Sequence, residues 1–247
     1  MTLRALLAYV PWQVRDILLR AAVPLVLFAV FGGLPIATTM YGVGNAAPPD
    51  PEALRGLLRA VYIGVAPLAL TLGAFLLMTR SIAEDRERQY VRFLFAHPVA
   101  PAPFYLSRFV VGMLTFLLCF LPVPLLLRAY GADIPVLGSL VAMGTIFTFI
   151  GGLTTLCASL WNKDGLALIA VYVVTQSLQR LGTQGVLYEW LRPIVRGLPP
   201  VASLNPVMQS LLEATDWPLT DIVHVVGYGL GMLAAGLLVV RRAPLVR

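Results

Sequence analysis

The chain has 247 residues, 59% of them hydrophobic and 12% charged, with a mean hydropathy of +0.84. A soluble domain carries roughly 25% charge, so a water-soluble core is excluded and an all-α polytopic membrane protein is implied. The formal charge is +6, from 18 basic and 12 acidic residues; in a membrane chain such an excess sits at span ends and fixes orientation, without calling for a nucleic-acid partner.

The first 20 residues, MTLRALLAYVPWQVRDILLR, carry charges at both ends, a proline and a tryptophan, and no small-residue cleavage site after a long apolar core. That pattern is not a signal peptide. It reads as an amphipathic helix at the membrane surface over 1–20, with Leu, Val and Trp toward lipid and Arg4, Arg15, Asp16 and Arg20 toward water.

A spanning helix needs about 20 apolar residues. Charge-free windows predict six transmembrane helices: 21–49, ending near Tyr41; 60–79; 109–127, extending back toward Phe104; 134–162; 165–179; and 222–240. The fifth is short, so Arg180 snorkels at its outer end. The chain is thus expected to be a single transmembrane domain over 1–247.

With the N-terminus in the cytoplasm, the inner loops hold twelve Lys and Arg and the outer ones six. Both termini and the loop 80–103 are therefore expected on the cytoplasmic side. Arginine outnumbers lysine 17 to 1, which suggests a high-GC bacterium and so a bacterial inner membrane. The longest outer connection, 183–218, is moderately apolar and broken by Pro193, Pro199, Pro200 and Pro206. It predicts two short helices, re-entrant or lying at the outer interface, with an ordinary extracellular loop as the competing reading.

Several chemistries lack their residues. No Walker A pattern occurs, and the only lysine is Lys163. GYGLG at 227–231 lies inside a span, where Gly227, Gly231 and Ala235 are spaced by four and form a stripe for close helix packing. The apolar windows hold no Asp, Glu, Lys or Arg at mid-depth, which argues against ion-coupled transport. His224, near a span end, reads as an interfacial polar residue. Cys119 and Cys157 lie in apolar stretches and read as small buried hydrophobes. No metalloprotease or nucleophile motif appears, so the chain is expected to be non-catalytic and to hold no metal.

The loop 80–103 is the exception to the apolar pattern. In EDRERQYVRFLFAHPV, residues 84–99, six of the first nine residues are charged: Glu84, Asp85, Arg86, Glu87, Arg88 and Arg92. Ser81 and Glu84 form a capping box that starts a helix; Pro98, Pro101 and Pro103 end it. Val91, Leu94 and Phe95 share a face, and Tyr90 and Phe93 are costly to leave in water. Apolar anchors ringed by mixed charge suit a docking surface for a soluble partner. The candidate contacts are Glu84, Asp85, Arg86, Glu87, Arg88, Tyr90, Val91, Phe93, Leu94, Phe95, His97 and Pro98.

With this loop, the amphipathic N-terminal segment, six predicted spans, an interrupted outer segment containing SLNP at 203–206 and a basic tail, nearly the whole chain resembles the ABC type 2 permeases. These are membrane subunits of ATP-binding-cassette exporters. Their loop reads as an acidic-basic run, often E-x-E-x-G-T, then an apolar position, a proline pair and a later basic residue. Glu87, Leu94, Pro98 with Val99, and Arg108 fit those places; Gln89-Tyr90 and Ala100 depart from the usual Gly-Thr and Ser or Thr.

The resemblance implies a non-catalytic permease whose loop is a coupling helix seated in a cytoplasmic ATPase (nucleotide-binding) subunit. It also implies a second permease copy or homologue, ATP and Mg2+ bound in the partner ATPase, and no cofactor in this chain. The cargo is left open. The competing readings are a secondary carrier or channel not driven by ATP, in which His224 would carry the coupling, and an intramembrane enzyme or membrane assembly scaffold.

Overall fold

The computed structural model describes residues 10–26, 29–30, 50–79, 82, 85, 100–161, 164–184, 189–191, 193, 195, 197–215 and 217–242. Among them the regular structure is helical: α1 (10–26), α2 (Pro51–Met78), α3 (Pro101–Phe120), α4 (Pro122–Ala129), α5 (Val136–Leu160), α6 (Asp164–Thr183), a 3-10 turn (Glu189–Leu191), α7 (Val201–Glu213) and α8 (Leu219–Arg242).

Four helical stretches among the described residues are long and apolar enough to cross a membrane: α2, α3 with α4, α5 and α8. This is the architecture of a multi-pass membrane protein, but not the predicted six spans. The predicted first span is covered only at its start, by α1, and 31–49 lies outside the described residues. The predicted fifth is α6, whose uncharged stretch runs only from 165 to 179, between Asp164 and Arg180. That is shorter than the roughly 17–25 residues a span needs.

Local chemistry sets the helix ends. Asp50 caps α2 by accepting from the Glu52 N–H at 3.4 Å, and Pro51 at the first position has no N–H to satisfy. α2 therefore starts at Pro51, ahead of the predicted 60, and carries Arg55 and Arg59 on its first turns. Pro101 likewise opens α3. At Leu121 the backbone stays helical, but Pro122 and Pro124 lack donors, so α4 continues α3 with a break. Gly131, at φ 86, turns the chain back toward α5.

α5 is the axis of the bundle. It is apolar on every side, and 72% of its span window is buried. Its hydroxyls are satisfied locally: Thr154 and Thr155 donate to the Ile150 and Gly151 carbonyls, each at 2.7 Å. Ser139 meets the Tyr62 hydroxyl at 2.9 Å. Phe109 and Phe116 of α3 stack against Phe147, with centroids 5.5 and 5.3 Å apart.

The closest helix pair is α5 with α8. A Cβ on Gly152 would overlap the Gly229 carbonyl, and one on Gly229 would lie 2.6 Å from the Thr148 oxygen. A Cβ on Gly236 would lie 3.0 Å from Thr155 and Leu156 backbone atoms, a tight but looser fit. The stripe predicted for packing, Gly227, Gly231 and Ala235, is not the one α5 uses: Cβ atoms at Gly227 and Gly231 would meet nothing within 4 Å. Two residues separate the used from the unused glycines, which puts them on different helix faces.

The two ends of the bundle differ. At one, Ile82, Phe104, Tyr105, Ala158 and Val240 form a small cluster, so Ile82, the start of α3 and the ends of α5 and α8 meet there. At the other, Arg59 donates to the Glu213 carbonyl at 3.2 Å and pairs with Asp133 at 3.7 Å. α7 rises between these ends. Gln179 donates to the Pro199 carbonyl and accepts from the Ala202 N–H, both at 2.8 Å, and the Tyr228 hydroxyl donates to the Gly197 carbonyl at 3.1 Å. At 1.5 Å per residue, Gln179 and Tyr228 stand about 20 Å above the Asp164 and Arg242 ends of their helices. The other end of α7 packs by Leu211 against Gly138, about 33 Å above Leu160. α7 thus occupies the far half of the bundle, among the long helices rather than beyond them.

Candidate functional site

At the first end of the bundle four charged side chains converge. Arg108, on the second turn of α3, reaches Asp16 of α1 at 2.9 Å with one guanidinium nitrogen and Asp85 at 3.1 Å with the other. The Tyr105 hydroxyl, one turn earlier on α3, donates to the same Asp85 oxygen at 3.4 Å. Arg20 pairs with Asp16 at 3.1 Å and donates to the Thr79 carbonyl at 2.7 Å. The Trp12 ring lies under Arg108, with 5.8 Å between guanidinium carbon and ring centre. Gln13, also buried, donates to the Ser107 hydroxyl at 3.4 Å, and its carbonyl oxygen has no partner among the described residues.

Arg108 and Asp85 are 5% and 3% exposed. Among the described residues two acids face two bases, and pairing of this kind is what lets charge be held out of water. The cluster clasps three pieces of chain together: α1, the segment just after α2, and α3.

This geometry revises two expectations. Asp16 and Arg20 are only partly exposed and turn toward the bundle, because their partners lie on α3 and at Thr79. The outward face of α1 is apolar, with Trp12, Leu19, Val23 and Val26 exposed, although Arg15 is exposed as predicted. α1 also runs past Arg20 to 26 without a break, so it joins the predicted surface helix to the start of the predicted first span. Asp85, expected to face a soluble partner, is instead buried beneath Arg108 and Tyr105.

Glu84, Arg86, Glu87, Arg88, Tyr90, Val91, Phe93, Leu94, Phe95, His97 and Pro98 lie outside the described residues. Arg108 was legible only as a basic residue at a motif distance, and nothing near it in sequence announces that it is the hub. The i,i+4 pair Asp16–Arg20 was the available signal.

A second feature is a cavity of about 680 Å3 between α2, α6 and α7, with Ile150 of α5 at its back. Pro67 interrupts α2 here, so the Ile63 carbonyl loses its helical donor. The Thr71 hydroxyl turns back onto the Pro67 carbonyl at 2.7 Å. Gly64 opens onto this space, with nothing within 4 Å of a Cβ placed there. Asn205 and Gln209, one turn apart on α7, and Tyr172 of α6 line it as well. His224 stacks on Tyr228, centroids 5.1 Å apart, beside the open Gly227 and Gly231 face of α8.

No family model matches the chain, and neither a curated protein nor a solved structure is found to match it.

Proposed function

We propose that this chain is the membrane permease subunit of an ATP-binding-cassette exporter of the type 2 kind, moved by separate cytoplasmic ATPase subunits and working beside a second permease copy in a bacterial inner membrane. The observation that carries the reading is the clasp. The charge-dense loop between α2 and α3 begins at Thr79, and its residue Asp85 is tied to Arg108, which also holds α1 through Asp16. A displacement of that loop is therefore passed to α1, α2 and α3 together, and through the packing of α2 and α3 on α5 to the bundle axis. Loop residues toward an ATPase would be Glu84, Arg86, Glu87, Arg88, Tyr90, Val91, Phe93, Leu94, Phe95, His97 and Pro98, with Asp85 holding the loop to the bundle. ATP and Mg2+ would bind in the ATPase.

The test is reconstitution. The chain and its candidate ATPase are placed in liposomes and ATP turnover is followed. The permease is expected to change turnover severalfold, and Glu87→Arg with Leu94→Asp to abolish that change. Turnover indifferent to the permease, or transport driven by an ion gradient without ATP and lost in His224→Ala, refutes the proposal.

A further inference from the structure

The cavity between α2, α6 and α7 has a chemistry independent of any ATPase. Leu68 and Ile169 at its edge are 62% and 51% exposed, so it opens sideways, out of the bundle, between α2 and α6. Its depth is apolar, closed by Phe75, Ile150 and Leu168. Among the described residues, no Asp, Glu, Lys or Arg lines it. Its size falls within the roughly 300–1,000 Å3 of small-molecule sites, and its pattern, apolar walls with a few convergent polar groups, is theirs too.

The polar groups come mainly from one side. Asn205 and Gln209 are exposed on the face of α7 opposite its buried Leu204, Val207, Leu211 and Leu212, and they point at this space. Among the described residues the Asn205 amide makes no hydrogen bond, whereas Gln209 donates to Glu213 at 2.8 Å and keeps its carbonyl free to accept. An amide facing an apolar chamber costs free energy unless something there bonds to it. Across the chamber the Ile63 carbonyl, released by Pro67, is a further acceptor.

We infer that this cavity binds a neutral amphiphile drawn sideways from the bilayer: an acyl chain lying along α2 and α6, and a head bearing uncharged hydroxyls bonded to Asn205 and Gln209. Absence of charge in the lining selects against phosphate-bearing and other ionic heads, which would be stripped of water with no counter-charge. Paired amides, each both donor and acceptor, match a polyol.

The experiment uses the purified full-length chain in phosphatidylcholine nanodiscs, without ATPase, and radiolabelled monooleoylglycerol as the probe. Saturable binding near one per chain is expected, displaced by unlabelled monooleoylglycerol and about tenfold less well by methyl oleate, which has the chain but no hydroxyls. Gly64→Leu puts a branched side chain into the chamber and weakens binding at least tenfold; a Cβ there meets nothing within 4 Å. Gly56→Leu, equally open on the same helix but outside the cavity, binds as wild type. Asn205→Leu with Gln209→Leu weakens binding about tenfold, and this second variant decides the matter should Gly64→Leu lose thermal stability.

Unchanged binding by Gly64→Leu, equal competition by methyl oleate, or stronger competition by phosphatidylglycerol overturns the inference. None of these outcomes bears on ATP coupling, and a failure of ATP coupling leaves this result standing.

Discussion

Replacing Arg108 by Met keeps most of the side chain's length and removes its charge. The structure then leaves Asp85, 3% exposed, with its Arg108 ion pair gone and the Tyr105 hydroxyl still at 3.4 Å. Asp16 fares better: it keeps Arg20 at 3.1 Å and its side chain is 30% exposed. Removing one partner of a buried pair costs about 3–5 kcal/mol. For a chain of this size each kcal/mol moves a thermal midpoint by about 2–4 °C, so the midpoint in nanodiscs should fall by roughly 10 °C. The same scan on Arg108→Met with Asp85→Asn should recover a third to a half of that fall, because a neutral amide costs less than a carboxylate to hold in the interior without the Arg108 pair. Arg20→Gln should cost only about 1 kcal/mol, since that pair is partly wet. A midpoint for Arg108→Met within 2 °C of wild type, or no recovery in the double variant, would refute the reasoning that this cluster holds α1 and Asp85 onto α3.

Three further outcomes follow from the packing. Gly152→Val should destabilise by more than 2 kcal/mol, because its Cβ overlaps the Gly229 carbonyl backbone, while Gly227→Val and Gly231→Val should stay within about 0.5 kcal/mol; thermal scanning of the three reads the contrast. Gln179→Leu removes both bonds that hold the start of α7, so amide exchange at Ala202 should speed up at least tenfold while α5 stays protected. Ala214 ends α7 at φ 55, where a Cβ is strained, so Ala214→Gly should raise the midpoint by an amount equivalent to about 1 kcal/mol.

How far the sequence could be read depended on whether the deciding partner was near in the chain. The windows at 60–79, 134–162 and 222–240 each became a helix, and 109–127 became α3 continued with a break by α4, because apolar length and flanking charge are local properties. Two of their starts moved outward, where Asp50 supplied a cap and Pro51 and Pro101 first-turn prolines. The face of α1 was misread because a polar stripe was assumed to seek water, whereas its counter-charge stands 92 residues away on Arg108. The glycines of α8 offered two registers, 227 with 231 and 229 with 236, and only Gly152 on another helix chooses between them. The cavity had no signal at all: Pro67 and the amides of Asn205 and Gln209 mean something only once α7 is folded back beside α2.

The clasp also orders events during synthesis. Asp16 leaves the ribosome 92 residues before the arginine it must meet. At about 5–20 residues per second, that is a wait of roughly 5–20 s. Arg20, one turn away, shields the carboxylate for that interval, but the Thr79 carbonyl and Arg108 come only with the next hairpin. The first helix therefore stays undocked until the third has emerged, so its final seat is taken late, after the neighbours it leans on are already in place.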